Sequence, residues 1–145
     1  MMRATGAILG GRGRYDAAAR KHDGVDGVDG IYGGAWTGPV LVLTHRLDDA
    51  PEDDRVTLLD DDVRAAVAAG LEAAGGRNLE IFGANVARQC LDAALMDEFV
   101  VHIAPLLLGD GVLLYGGAGV PRVALQRVAV SEAGQTTSLR FAVGR

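Results

Sequence analysis

The sequence predicts an α/β fold with an antiparallel end, and three observations carry that expectation. Short continuous apolar runs, the mark of strands buried on both faces, occur at Thr5–Leu9, Pro39–His45, Arg55–Leu59 and Leu79–Phe82. Segments of helical period stand between or after them. The chain then closes with strand runs at Val123–Ser131 and Thr136–Val143, the second of which alternates apolar with polar or small residues. Alternation of strand and helix followed by a hairpin describes a sheet with helices and an antiparallel terminus.

Each element has a local reason. Thr5 to Leu9 runs into Gly10-Gly11-Arg12-Gly13-Arg14, a glycine-led turn into a helix start. From Asp16 to Gly38 the chain carries six glycines and little apolar content, with one helical turn expected at Ala17-Ala18-Ala19-Arg20. Loops of this length inside a compact domain are usually functional or mobile. Pro39 is tolerated at the first position of the second strand. Asp60-Asp61-Asp62 supplies capping carboxylates for a helix whose apolar face is Val63, Ala66, Val67 and Leu71, and Gly75-Gly76 stops it. After the fourth strand, Asn85 is the expected N-cap of a helix burying Val86, Cys90, Leu91 and Leu95. Glu98 to Ala104 is the fifth strand, and Pro105 to Tyr115 is a loop built around Gly109-Asp110-Gly111.

At 145 residues the chain should be one domain. No apolar run approaches the roughly 20 residues that span a bilayer, and no leader pattern precedes the first strand, so no membrane partner is expected. A net charge of −5 without a basic stripe argues against nucleic acid. Cys90 is the only cysteine, which fits a reducing cytoplasm.

Several chemistries are disfavoured by spacing. No G-x-x-x-x-G-K-[ST] or complete G-x-G-x-x-G is present. His22, His45 and His102 are far apart and lack metal-ligand spacing, so no metal is expected. Asp23, Asp26 and Asp29 lack the EF-hand pattern. Cys90 falls on a buried helix face, and His102 reads as a satisfied core histidine. What remains are two strand ends that turn through glycine into helices, at Gly10-Gly11-Arg12 and Phe82-Gly83-Ala84. A helix N-terminus offers unpaired N–H groups and partial positive charge, which suits phosphate, and Arg12 and Arg14 strengthen the first turn. Either turn alone is also what an ordinary strand-to-helix connection looks like. Thr44-His45-Arg46, at the end of the second strand, suits a ribose 2′-phosphate or a strand end entering solvent. Trp36 suits stacking on a planar ring or closing the loop onto the core.

In order and wording these segments resemble the dihydrofolate-reductase-like family. The branch they are most similar to is that of the C-terminal reductase domain of the riboflavin-biosynthesis deaminase–reductase. The resemblance rests on Gly6-Ala7-Ile8-Leu9-Gly10-Gly11-Arg12, Pro39 to Arg46, Gly83-Ala84-Asn85-Val86-Ala87-Arg88-Gln89, Leu95-Met96-Asp97-Glu98 and Pro105 to Gly111. It implies the dihydrofolate-reductase-like fold, a mixed and mostly parallel sheet flanked by helices with a C-terminal antiparallel hairpin. It also implies hydride transfer from NADPH to a pterin-, pyrimidine- or similar small heterocycle. By position, Gly11, Arg12 and Arg14 would meet phosphates, and Thr44, His45 and Arg46 the adenosine and its 2′-phosphate. Gly83, Ala84, Asn85 and Val86 would line the pyrophosphate and nicotinamide side. Trp36 and its glycine-rich loop would form a lid on the substrate side. Arg14 stands where the family commonly has threonine or serine, and Ala84 where dihydrofolate reductase has glycine.

The larger departure is at the start, where the family usually has a further strand and helix. Three alternatives follow: a longer parent chain, closure of the fourth and fifth strands over the gap, or a partner chain filling it. A homodimer is therefore expected over a monomer. The alternative function is a non-catalytic nucleotide-binding or interaction module, or a fragment of a longer reductase. No residue is identified as the proton donor.

Overall fold

Two faces of one parallel sheet organise the molecule, because its strands alternate cleanly between them. The computed structural model describes residues 2–13, 15–16, 32, 35–48, 53–117 and 119–144. After a 3₁₀ turn at Met2–Ala4 come β1 (Thr5–Gly11), β2 (Val40–Leu43) and β3 (Val56–Leu59). Helix α1 (Val63–Ala74), β4 (Asn78–Phe82) and α2 (Ala84–Asp92) follow. The chain ends with β5 (Glu98–Ile103), β6 (Leu125–Ala133) and β7 (Thr136–Val143). The first four strands form a parallel sheet in the order β3-β2-β1-β4, and the last three an antiparallel sheet in the order β5-β7-β6.

Ala7, Leu9 and Leu41 face the helices and pack with Ala66, Val67, Ala74, Val86 and Cys90. The intervening Ile8, Val40 and Val42 face the other way and pack with Trp36, Tyr32, Leu58 and Phe82. Burial of these side chains at about 25 cal/mol per Å² is the main stabilising term. The parallel and antiparallel parts expected of the fold are both present, as separate sheets. Among the described residues, neither buried cluster includes a residue of β5, β6 or β7. Ile103, Leu107, Leu108, Val112, Leu113 and Val130 are exposed. β4 and β5 are edge strands of different sheets, so they do not close up on each other.

Asp62 is the N-cap of α1 and accepts from the N–H groups of Arg64 and Ala65. Gly75, at φ 60°, ends the helix in the left-handed region. The buried face of α1 is Ala66, Val67, Gly70 and Ala74, whereas Leu71 is exposed, a correction to the expected stripe. Asn85 is not the N-cap of α2: Gly83 is, and Asn85 lies exposed in the first turn. Gly83 takes that place because the backbone there is at φ 97°, which disfavours any side chain. The helix stops at Asp92, leaving Leu91 half-buried and Leu95 beyond it, against the core. β1 runs on to Gly11, while the sixth strand starts at Leu125 and ends at Ala133. His102 is not a core residue; it is exposed, with Nδ1 2.7 Å from Ser138 Oγ. The helical turn expected at residues 17–20 lies outside the described residues.

Cys90 is 1% exposed, and burial pushes its thiol up to about 11. A thiol held neutral and covered is a core residue rather than a nucleophile. The native protein at pH 8 is therefore expected to resist a disulfide exchange reagent, with one equivalent released on unfolding. Rapid native labelling would refute this placement.

Candidate functional site

Parallel pairing brings the ends of three strands to one edge. Gly11 is in register with Leu43 of β2, and Gly10 with Phe82 of β4. The two glycine turns and the Thr44-His45-Arg46 segment therefore follow three adjacent strands. Crevices outside the carboxyl ends of parallel strands are where open α/β sheets bind ligands.

At the first turn, Arg12, Gly13, Tyr15 and Asp16 are helical, and Arg14 lies outside the described residues. An ideal Cβ on Gly11 would stand 3.3 Å from Val86 Cγ2, so this turn touches the start of α2. Arg12 Nε donates to Asp16 Oδ1 at 2.7 Å, and Arg46 Nη2 donates to Asp16 Oδ2 at 3.4 Å. One carboxylate thus ties the first turn to the end of β2. Arg12 also lies over the Tyr15 ring, 5.9 Å from its centre. The Arg46 side chain is 65% exposed, so a ligand can reach it.

Thr44 is buried, and its hydroxyl accepts from the Arg46 N–H at 3.1 Å, which fixes the local turn. His45 faces solvent, with Nδ1 2.7 Å from Asp60 Oδ1. At the second turn Gly83 offers no side-chain cap to α2. The first-turn N–H groups of Ala84, Asn85 and Val86 are of the kind that a helix leaves for an external acceptor. Ala84 is half-buried, and Val86 is 1% exposed inside the core. These residues, Gly11 and the guanidinium pair suit a pyrophosphate with an anionic ribose.

Trp36 is 5% exposed and packs in the core of the non-helical face. Arg55 holds it there: Nη1 donates to the Trp36 carbonyl at 3.3 Å, while Asp53 grips Arg55 through Nη2 at 2.6 Å. That guanidinium holds the Asp53 carboxyl below its ordinary range. Most of the glycine-rich loop expected to form a lid lies outside the described residues.

Sequence reasoning missed a polar cluster on this same face. Glu80, in the middle of β4, accepts from the Thr5 hydroxyl and from the Tyr32 hydroxyl. Tyr32 stands edge-on to Phe82 and tilted to Trp36, each at 6.3 Å between ring centres. Burial, and the Glu80 carboxylate next, raise the Tyr32 phenol above its usual range. The available signal was an acid inside an apolar strand, Leu79-Glu80-Ile81. The described residues hold no group of His, Cys, Asp and Glu able to bind a metal ion. Among the described residues, no helix is long and apolar enough to cross a membrane.

Comparison with known proteins bears on the family and the fold. The sequence profile of the RibD C-terminal domain family matches residues 7–139. A search of curated proteins finds no significant match. Among solved structures, the chain is similar to a putative riboflavin biosynthesis protein from Shewanella sp. PV-4, with 24% identity and a TM-score of 0.77. That match covers 99% of this chain and 77% of the other. Acinetobacter baumannii RibD is 17% identical with a TM-score of 0.66, over 97% of this chain and 47% of that one. The chain thus spans about half the length of that structure. The Saccharomyces riboflavin biosynthesis reductase Rib7 is 14% identical with a TM-score of 0.61, over 97% of this chain and 75% of that one. At these identities the structures speak for the fold.

Proposed function

Since the chain belongs to the RibD C-terminal domain family, we propose that it is an NADPH-dependent reductase. Its substrate on this reading is a pterin-, pyrimidine- or similar small heterocycle. The observation that carries the proposal is the shared edge: two glycine turns and an arginine-bearing strand end lie on adjacent parallel strands. NADPH, when bound, supplies the hydride. The chain's own residues bind and orient. Arg12 and Arg46 counter phosphate charge, exchanging Asp16 for the ligand. The N-terminus of α2 receives the pyrophosphate, and Gly11 and Gly83 let the backbone approach closely. Thr44 shapes the turn that aims Arg46, while His45 stands at the adenosine side. Arg14, by its place in the sequence, adds a cation. Trp36 closes the non-helical face against water. A reducing, cytoplasmic location fits the lone buried thiol of Cys90, and a second copy fits the exposed apolar residues of the β5-β7-β6 sheet.

The test is a titration with NADPH and NADH followed through Trp36, the only tryptophan. Saturable binding with NADPH tighter is expected. Arg46→Ala should weaken NADPH by about tenfold, the worth of one charge-assisted hydrogen bond, and NADH far less. Equal losses would remove Arg46 from the 2′-phosphate. Absence of nucleotide binding by folded protein would favour the second reading, a non-catalytic interaction module. That reading is supported by the positions of β4 and β5 at sheet edges among the described residues.

A further inference from the structure

Two guanidiniums from neighbouring strand ends converge on one carboxylate at the edge where a ligand would dock. Asp16 gives Oδ1 to Arg12 Nε at 2.7 Å and Oδ2 to Arg46 Nη2 at 3.4 Å. Arg12 follows β1 and Arg46 follows β2, strands that lie side by side in parallel register. Arg12 is fixed, because its side chain is 14% exposed and its guanidinium lies over the Tyr15 ring. Arg46 is held loosely: it reaches well into solvent, and its bond to Asp16 is a long one. Asp53 shows the contrast within the same chain. Both of its oxygens close on the single guanidinium of Arg55, at 2.6 to 3.2 Å, and Arg55 in turn donates to the Trp36 carbonyl. That pair is a strut, whereas the Asp16 bridge is short on one side and exchangeable on the other. Carboxylate and phosphate present the same paired oxygens to a guanidinium, so cations that converge on one suit the other.

We propose that Asp16 is a specificity-determining residue: it holds the place of a ligand phosphate between Arg12 and Arg46, and so limits how far the chain prefers NADPH to NADH. A phosphate on the ribose must take Arg46 from Asp16 and then stand beside the displaced carboxylate, which is a like charge. NADH has a hydroxyl at that place and leaves the Asp16–Arg46 pair closed. The penalty therefore falls on the phosphorylated nucleotide, in the way a built-in repulsion sets a difference between two affinities. Asp16 touches Arg12 as well, so any phosphate that reaches Arg12 meets the same competitor to a smaller degree. The nucleotide preference rests on the reductase reading; the exchange of carboxylate for phosphate at the two arginines does not.

The test is calorimetric titration of wild type, Asp16→Asn, Arg46→Ala and the double variant with NADPH, NADH and inorganic pyrophosphate. At low ionic strength Asp16→Asn is expected to bind NADPH roughly tenfold more tightly than wild type, and NADH about threefold more tightly or less. Near-molar salt should remove most of that gain, because exposed charges are screened. In the Arg46→Ala background the same substitution should give NADPH no larger gain than NADH, since Asp16 sets the preference through Arg46. A carboxylate that merely aims Arg46 has the opposite sign. Weaker or unchanged NADPH binding by Asp16→Asn, or equal gains for both nucleotides, overturns the proposal. If Asp16→Asn does not fold, Asp16→Ala carries the test, and failure of both to fold overturns the proposal by making the bridge a strut. If wild type binds neither nucleotide, the reductase reading fails and pyrophosphate decides the exchange. Tighter pyrophosphate binding by Asp16→Asn then supports it, and equal binding or none overturns it.

Discussion

Gly6→Ala is expected to destabilise the protein at or above the top of the roughly 1–3 kcal/mol range for overpacked cores. A Cβ at Gly6 would lie 2.1 Å from the Ala74 carbonyl oxygen, 2.7 Å from its Cα and 2.8 Å from its carbonyl carbon. All three are backbone atoms, so no rotamer change relieves the contact. Helix α1 would have to move off β1, and Ala74, 1% exposed, is held by the helix C-terminus at Gly75. The melting temperature should fall by on the order of 10 °C. Gly70→Ala is the control. There a Cβ would meet the Cδ2 and Cδ1 atoms of Leu79 at 2.7 and 2.8 Å, the far end of a flexible side chain. Alanine also gains about 1 kcal/mol over glycine inside a helix. Gly70→Ala should therefore stay within about 1 kcal/mol of wild type in urea melts, from these opposing effects. If Gly6→Ala melts with wild type, the close approach of β1 to α1 is wrong.

Gly83→Val should abolish measurable nucleotide binding while the protein still folds. The backbone at φ 97° and ψ 135° is one that β-branched residues avoid, and holding valine there costs on the order of 1–3 kcal/mol. Its side chain would also stand over the uncapped start of α2, where the proposed pyrophosphate is received. Stability and affinity are separated by measuring urea melts beside the NADPH titration. Ala84→Gly is the opposing variant: if the alanine methyl crowds the cofactor, its removal tightens binding. NADPH binding by folded Gly83→Val at wild-type affinity would take the second turn out of the site.

Local chemistry was the legible part of the sequence. Asp62 and Gly75 bracket α1 because a capping carboxylate and a left-handed glycine act on their own helix ends. The alternation in Thr136–Val143 likewise needs nothing beyond its own strand. Errors arose where a residue's role was set by something distant. Asn85 has the right chemistry for an N-cap, but the chain turns at Gly83, two residues earlier. Leu71 fits helical spacing, yet the face turned to the sheet is the one where Gly70 meets Leu79.

The candidate site divides the same way. Glycine turns and Arg46 could be picked out because strand ends announce themselves. Asp16 is tied locally to Arg12, but its link to Arg46 spans 30 positions, and Glu80, marked only as an acid in an apolar strand, finds Thr5 75 positions away. Such pairings exist only after the sheet has assembled.

The separation of the two sheets bears on cooperativity. Among the described residues, both buried clusters are built on the β3-β2-β1-β4 sheet, whereas β5, β7 and β6 pair with one another. Units that share no core need not unfold together. The free energy of opening the antiparallel sheet is then smaller than that of the parallel layer, and a single two-state analysis averages two transitions. Trp36 reports on the parallel layer alone, so its signal stays native while the C-terminal strands exchange their amide protons.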